Sequence, residues 1–186
     1  MLPVLSLLAE AALLLPVWIL GVLKYRAPWS QVGFRPFAAR RSLGLGCMFF
    51  LICMAFNFIW SLVLFFFQRT AQPSLIPLFG SSVGGFAMAL LTVGLIAPVV
   101  EEAFFRGFIF AGLRPRLGLR RATVLSAALF AIAHLLPSSI PPIFVLGLVF
   151  ASLYQQTDSI WPSILLHGFI NTFSLLATYL LPLLSR

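Results

Sequence analysis

Six residues in this 186-residue chain could do chemistry together: Glu101, Glu102, Arg106, His134, His167 and Asn171. Their types suit hydrolysis of an amide by activated water. That reaction needs a base for the water, donors for the oxyanion and a proton for the leaving amine. Glu101 is the candidate base. His134 can hold the same water and shuttle a proton. His167 and Asn171 can donate to the carbonyl oxygen. Glu102 and Arg106 stand four residues apart on one helical face, where they can pair directly. Glu101 points about 100° away from that face and lacks the partner. His167 and Asn171 share a face by the same spacing. Phe130 and His134 repeat it, which sets a ring beside the imidazole.

The surroundings of these residues are apolar. The chain is 61% hydrophobic and 9% charged, against about 25% charged in a typical soluble domain, and its mean hydropathy is +1.08. A soluble fold of this size could not hide so much apolar surface, so lipid is part of the solvent. The net charge of +8 comes from twelve Lys and Arg against four Asp and Glu. The basic residues sit between apolar runs, as loops held on the cytoplasmic side do. That placement argues against nucleic acid as a partner.

The elements that position the six residues are all-α, a polytopic transmembrane helix bundle of about six spans. The first span is expected near Leu2 to Leu23. It carries Glu10 and no basic leader, and reads as a retained span. A basic, aromatic stretch from Lys24 to Arg41 suits the headgroup layer. The second span covers about Ser42 to Phe67, and Gln68 to Ser82 is a turn-rich connection with Pro73, Pro77 and Gly80. A third helix runs from about Val83 to Leu113 with a kink at Pro98. A basic loop from Arg114 to Arg121 follows, then a fourth span from Ala122 to Leu136. Pro137, Pro141 and Pro142 break the chain before a short fifth helix, Ile143 to Tyr154. The last span starts at Trp161–Pro162 and ends near Leu184. The two basic segments fall on the same side if every span crosses. One membrane domain results, divided into N-terminal spans over 1–82 and a catalytic helical core over 83–186.

Depth supports a single site. Glu101 lies about 18 Å from the Leu113 end of its helix, and His134 about 18 Å along the next one running back. His167 and Asn171 lie about 9–15 Å in from Trp161 on the same side. Ionisable residues within spans are costly and usually face a protein interior or a water-filled cavity. Ala127, Ala128, Ala131 and Ala133 allow close helix approach, which could bring His134 to Glu101.

The same residues form an ordered set of motifs. Glu101-Glu102-Ala103-Phe104-Phe105-Arg106 matches EExxxR, Phe130-Ala131-Ile132-Ala133-His134 matches FxxxH, and His167-Gly168-Phe169-Ile170-Asn171 matches HxxxN. In this order, on hydrophobic helices, they resemble the CAAX protease and bacteriocin-processing (Abi) family, the group of the type II CAAX prenyl endopeptidases. The resemblance covers roughly Ala89 to Tyr179. It implies an intramembrane endopeptidase in which Glu101 and His134 activate water and His167 and Asn171 form the oxyanion hole, with Glu102 and Arg106 in support. It implies a peptide or protein substrate, CAAX-like or otherwise membrane-associated. It points to a prokaryotic plasma membrane. The HExxH spacing of zinc peptidases is absent, so a metal-free mechanism without cofactor is expected, with zinc the alternative.

Two other classes compete. A non-catalytic immunity or scaffold protein would use the polar cluster, with Asn57, as glue between helices. A proton or ion transporter would need a chain of acidic groups across the membrane, and the sequence has none. A serine or cysteine peptidase fits poorly. Ser126, Ser138, Ser139 and Ser163 lack a nucleophile-elbow context, and Cys47 and Cys53 are apolar filler. Asp158 decorates a short turn. Oligomeric state is not encoded in any feature of the chain.

Overall fold

The structure, a computed structural model, describes residues 2–69 and 75–184. Pro73 of the turn-rich connection lies outside them. Every regular element among the described residues is helical. Helix α1 is Leu2–Pro16 and runs on as a wider, π-type turn through Val17–Lys24. Helix α2 is Ala39–Phe66, and α3 is one short turn, Ile76–Phe79. A long helical stretch then covers Val83–Ala133. A 3-10 turn, Pro137–Ser139, leads into Ile140–Thr157, and the last helix is Trp161–Leu184.

Five stretches among the described residues are long and apolar enough to cross a membrane. The third of them has 51 residues. Straight, it would measure about 76 Å, far beyond a hydrocarbon core of about 30 Å. It folds back at Gly118, whose φ of 76° and ψ of 168° are not helical and suit a residue without Cβ. The legs are α4, residues 83–117, and α5, residues 119–133. They pack antiparallel. Ser126 donates to the Phe105 carbonyl at 3.0 Å, and the Phe105 and Phe130 rings meet edge to face at 5.1 Å. The bundle therefore has six legs, as expected for this polytopic integral membrane protein.

Two boundaries differ from the expectation. The basic run Arg114 to Arg121 is helical on both sides of Gly118 rather than a loop. Arginine and leucine favour helix, so one glycine is enough to make the turn. Pro141 and Pro142 do not break the chain either. They sit in the first turn of the next helix, α6, Ile140–Thr157, where a missing N–H leaves no intrahelical bond unmade. With its preceding turn this element spans 21 residues, long enough to cross. The last helix, Trp161–Leu184, is α7.

One end of the bundle gathers the basic segments. Gly33 takes a φ of 106°, and its carbonyl accepts from the Ile160 N–H at 2.9 Å. Ser159 donates to the Arg35 carbonyl at 2.6 Å. Arg35 also pairs with Asp158, which gives that turn residue a partner. The pair is exposed and adds little stability. Phe34 packs here beside Phe110, Ala122, Tyr154 and Ile160. The Lys24–Arg41 stretch and the Gly118 bend thus share one side, as the charge alternation requires.

Small residues let the legs approach. A Cβ on Gly147 would lie 2.8 Å from Ala127 Cα, so α6 seats directly on α5. A Cβ on Gly107 would strike the Val32 carbonyl, which fixes the interfacial loop against α4.

Candidate active site

The site forms where α4, α5 and α7 converge, and its geometry begins with a proline. Just before Glu101, the Ala97 N–H bonds the Thr92 carbonyl five residues back. The next bond in that wider pattern would run from residue 98 to the Val93 carbonyl. Pro98 has no N–H, so that carbonyl is left over. Asn171 of α7 supplies the donor: its Nδ2 reaches the Val93 oxygen at 2.9 Å. Gly168 completes the join, because a Cβ there would sit 2.9 Å from the Gly94 carbonyl. The kink in α4 and the HxxxN motif of α7 are thus two halves of one contact. It sets His167, one turn from Asn171, against the glutamates.

Wider π-type segments, Leu90–Ile96 and Ala103–Phe110, flank the Glu101–Glu102 turn. Such segments are frequent at functional sites. Pro98→Ala restores an N–H that competes for the Val93 carbonyl and frees the Asn171 amide. Thermal unfolding in detergent should then show unchanged or higher stability.

Glu102 and Arg106 are both fully buried. Arg106 donates to Glu102 Oε1 at 3.0 Å and to the Gly147 carbonyl at 3.2 Å. Its guanidinium lies over the Phe130 ring at 4.4 Å and the Phe150 ring at 5.1 Å. The pair ties α4 to α5 and α6. Glu102 Oε1 also accepts from His167 Nδ1 at 3.1 Å, and Phe150 stacks on the His167 ring at 4.8 Å. That bond leaves His167 Nε2 on the side of Glu101.

His134 ends α5. Its Nδ1 lies 2.8 Å from the Phe130 carbonyl. A carbonyl only accepts, so Nδ1 carries a proton, and Nε2 faces Glu101. The Phe130 ring stands edge-on to the imidazole at 4.8 Å, the contact their spacing suggested.

Glu101 faces both imidazoles. Its Oε2 lies 4.0 Å from His134 Nε2 and 3.9 Å from His167 Nε2. That oxygen is buried and has no hydrogen-bond partner among the described residues. The separations exceed a direct hydrogen bond, yet one water, with its two O–H donors, can bridge Glu101 Oε2 and His134 Nε2. A cavity of about 440 Å³ opens on them, lined also by Asn171, Asn57, Thr92 and Glu10.

All six sequence candidates are thus brought together, with Glu101 separated from the Glu102–Arg106 pair. Asn57 lines the cavity, but its amide donates to Cys53 of its own helix at 3.0 Å, so that bond glues no helices. Ser126 and Ser163 are spent on the Phe105 and Phe150 carbonyls. The sequence did not reveal the carbonyls of Val93 and Gly147 as anchors, nor Glu10 and Thr92 as lining residues. The Ser6–Glu10 spacing on an apolar helix was the available signal for Glu10. Among the described residues no three His, Cys, Asp or Glu side chains are disposed to hold a metal ion.

Comparison with known proteins agrees with this arrangement. Residues 83–173 match the family described as Type II CAAX prenyl endopeptidase Rce1-like. All six site residues fall within that stretch. Over 86 residues the chain is 30% identical to a Bacillus subtilis (strain 168) protein named "Putative membrane peptidase YdiL". The aligned stretch is 46% of this chain and 35% of that protein, so the chain spans about a third of the relative's length. No solved structure matches. Residues 83–173 of this integral membrane protein are an Rce1-like segment.

Proposed function

We propose that the protein is an intramembrane endopeptidase that hydrolyses a peptide bond with water activated by Glu101. The observation that carries this is the convergence of Glu101 Oε2 with two imidazole nitrogens at 3.9–4.0 Å, inside a cavity within the bundle. A water between Glu101 and His134 gives a proton to Glu101 as its oxygen attacks the substrate carbonyl. That proton returns through His134 Nε2 to the leaving amine, which restores both groups to their starting states. Asn171 keeps one N–H on Val93 and has a second for the developing oxyanion. His167 joins it as an oxyanion donor. Glu102 and Phe150 hold its ring in place. The substrate is a peptide or protein within reach of the bilayer, and the basic end of the bundle faces the cytoplasm of a prokaryotic cell.

The test is cleavage of a peptide library by purified protein in liposomes, read by mass spectrometry. Wild type is expected to cut at defined bonds, with undiminished rate after dialysis against a zinc chelator. The Glu101→Ala protein, folded normally, is expected to cut none. Cleavage that survives Glu101→Ala, or that needs stoichiometric zinc, would contradict the mechanism.

A further inference from the structure

The catalytic cavity has a wall outside the Rce1-like segment. Ser6 and Glu10, one turn apart on α1, both line it. Helix α1 is otherwise an apolar, lipid-facing element, with Leu8 and Leu15 strongly exposed. A carboxylate on such a helix is costly within a membrane. Glu10 nevertheless points inward, and its Oε2 is buried with no hydrogen-bond partner.

Other polar atoms of the cavity are also left without a partner. Glu101 Oε2 also lacks a partner. Thr92 is 1% exposed, and its hydroxyl is unpartnered in the same cavity. Glu102 is compensated by Arg106. Glu10 has no such counter-ion among the described residues. Glu10 on the cavity wall is therefore an acceptor left without a partner, complementary to a cationic group rich in donors.

From this juxtaposition we infer that Glu10 is a specificity-determining residue that selects a peptide carrying a primary ammonium, a lysine side chain or a free amino terminus, close to the scissile bond. The inference rests on the peptidase reading. Glu10 holds the ammonium from the α1 side of the cavity, and the scissile carbonyl faces Glu101. A substrate that places a terminal carboxylate there is rejected by the same charge.

The experiment uses the full chain in liposomes and a peptide that wild type cleaves. Each position within four residues of the cut is made lysine, norleucine or glutamate, with the amino terminus free or acetylated. Wild type is expected to favour lysine over norleucine at one position by about tenfold in kcat/KM, mostly through KM. A preference that follows the free terminus instead identifies that as the ammonium. Glu10→Gln should bring the ratio to about one, and Glu10→Lys should favour glutamate there. Equal cleavage of all charge forms by wild type, or the wild-type ratio kept in Glu10→Gln, overturns the inference. A binding arm does not depend on turnover. Fluorescent lysine and norleucine peptides are titrated onto Glu101→Gln protein with and without Glu10→Gln. A lysine preference lost with Glu10 supports the selector even if no peptide is cut, and equal binding of both peptides overturns it. Failure of cleavage alone strikes only the peptidase reading.

Discussion

Glu101→Gln is expected to lower peptide cleavage by about 10²–10⁴-fold, the range for loss of a positioned general base. Glutamine keeps the size and most of the polarity of the side chain, but cannot take the proton from water. The structure adds a second expectation, on stability. Glu101 Oε2 has no hydrogen-bond partner among the described residues, so replacing the carboxylate relieves a cost rather than breaking a bond. Thermal unfolding in detergent should show the variant as stable as wild type or more so. Rate and stability thus move in opposite directions. A cluster serving only as helix glue predicts a loss of stability instead, because glue residues are bonded across helices.

The Glu102–Arg106 pair should behave in the reverse way. Arg106→Met leaves Glu102 buried without its counter-ion, and breaking one side of a buried pair costs about 3–5 kcal/mol. The loss includes the bond to the Gly147 carbonyl and the two aromatic faces around the guanidinium. Unfolding of the purified protein should register that drop directly. Glu102 Oε2 and Arg106 Nε make no bond, so the pair is incompletely satisfied. Replacing both together, Glu102→Leu with Arg106→Met, should therefore recover most of the stability. Activity should stay low, because His167 Nδ1 loses the oxygen that orients its ring. Recovery of stability without activity would separate the supporting role of the pair from the reacting role of Glu101.

Much of this site was legible because helical spacing is a reliable ruler. The four-residue steps from Glu102 to Arg106 and from Phe130 to His134 gave real contacts, and the turn of about 100° set Glu101 apart. The depth match held for the same reason, since rise per residue is fixed. What stayed hidden lies in backbone groups. Pro98 was legible as a kink, but not the Val93 carbonyl it frees or the choice of Asn171 to fill it. The His167 bond to Glu102 was not foreseen either, and it orients that ring. Gly118 was one glycine in a basic run, and only its positive φ shows that it alone turns the chain. Glu10 lay 91 positions from Glu101 in the sequence, and no local pattern could join them.

The central claim is that Glu101 and His134 act on one and the same water. A double-mutant cycle measures this directly. Single-turnover cleavage would be followed for wild type, Glu101→Gln, His134→Asn and the double variant in liposomes. Groups sharing one water are strongly non-additive, so the double variant is expected to cleave within a few-fold of Glu101→Gln alone. Losses that multiply, with each substitution costing its full factor in the presence of the other, would show two independent roles and contradict the shared-water mechanism.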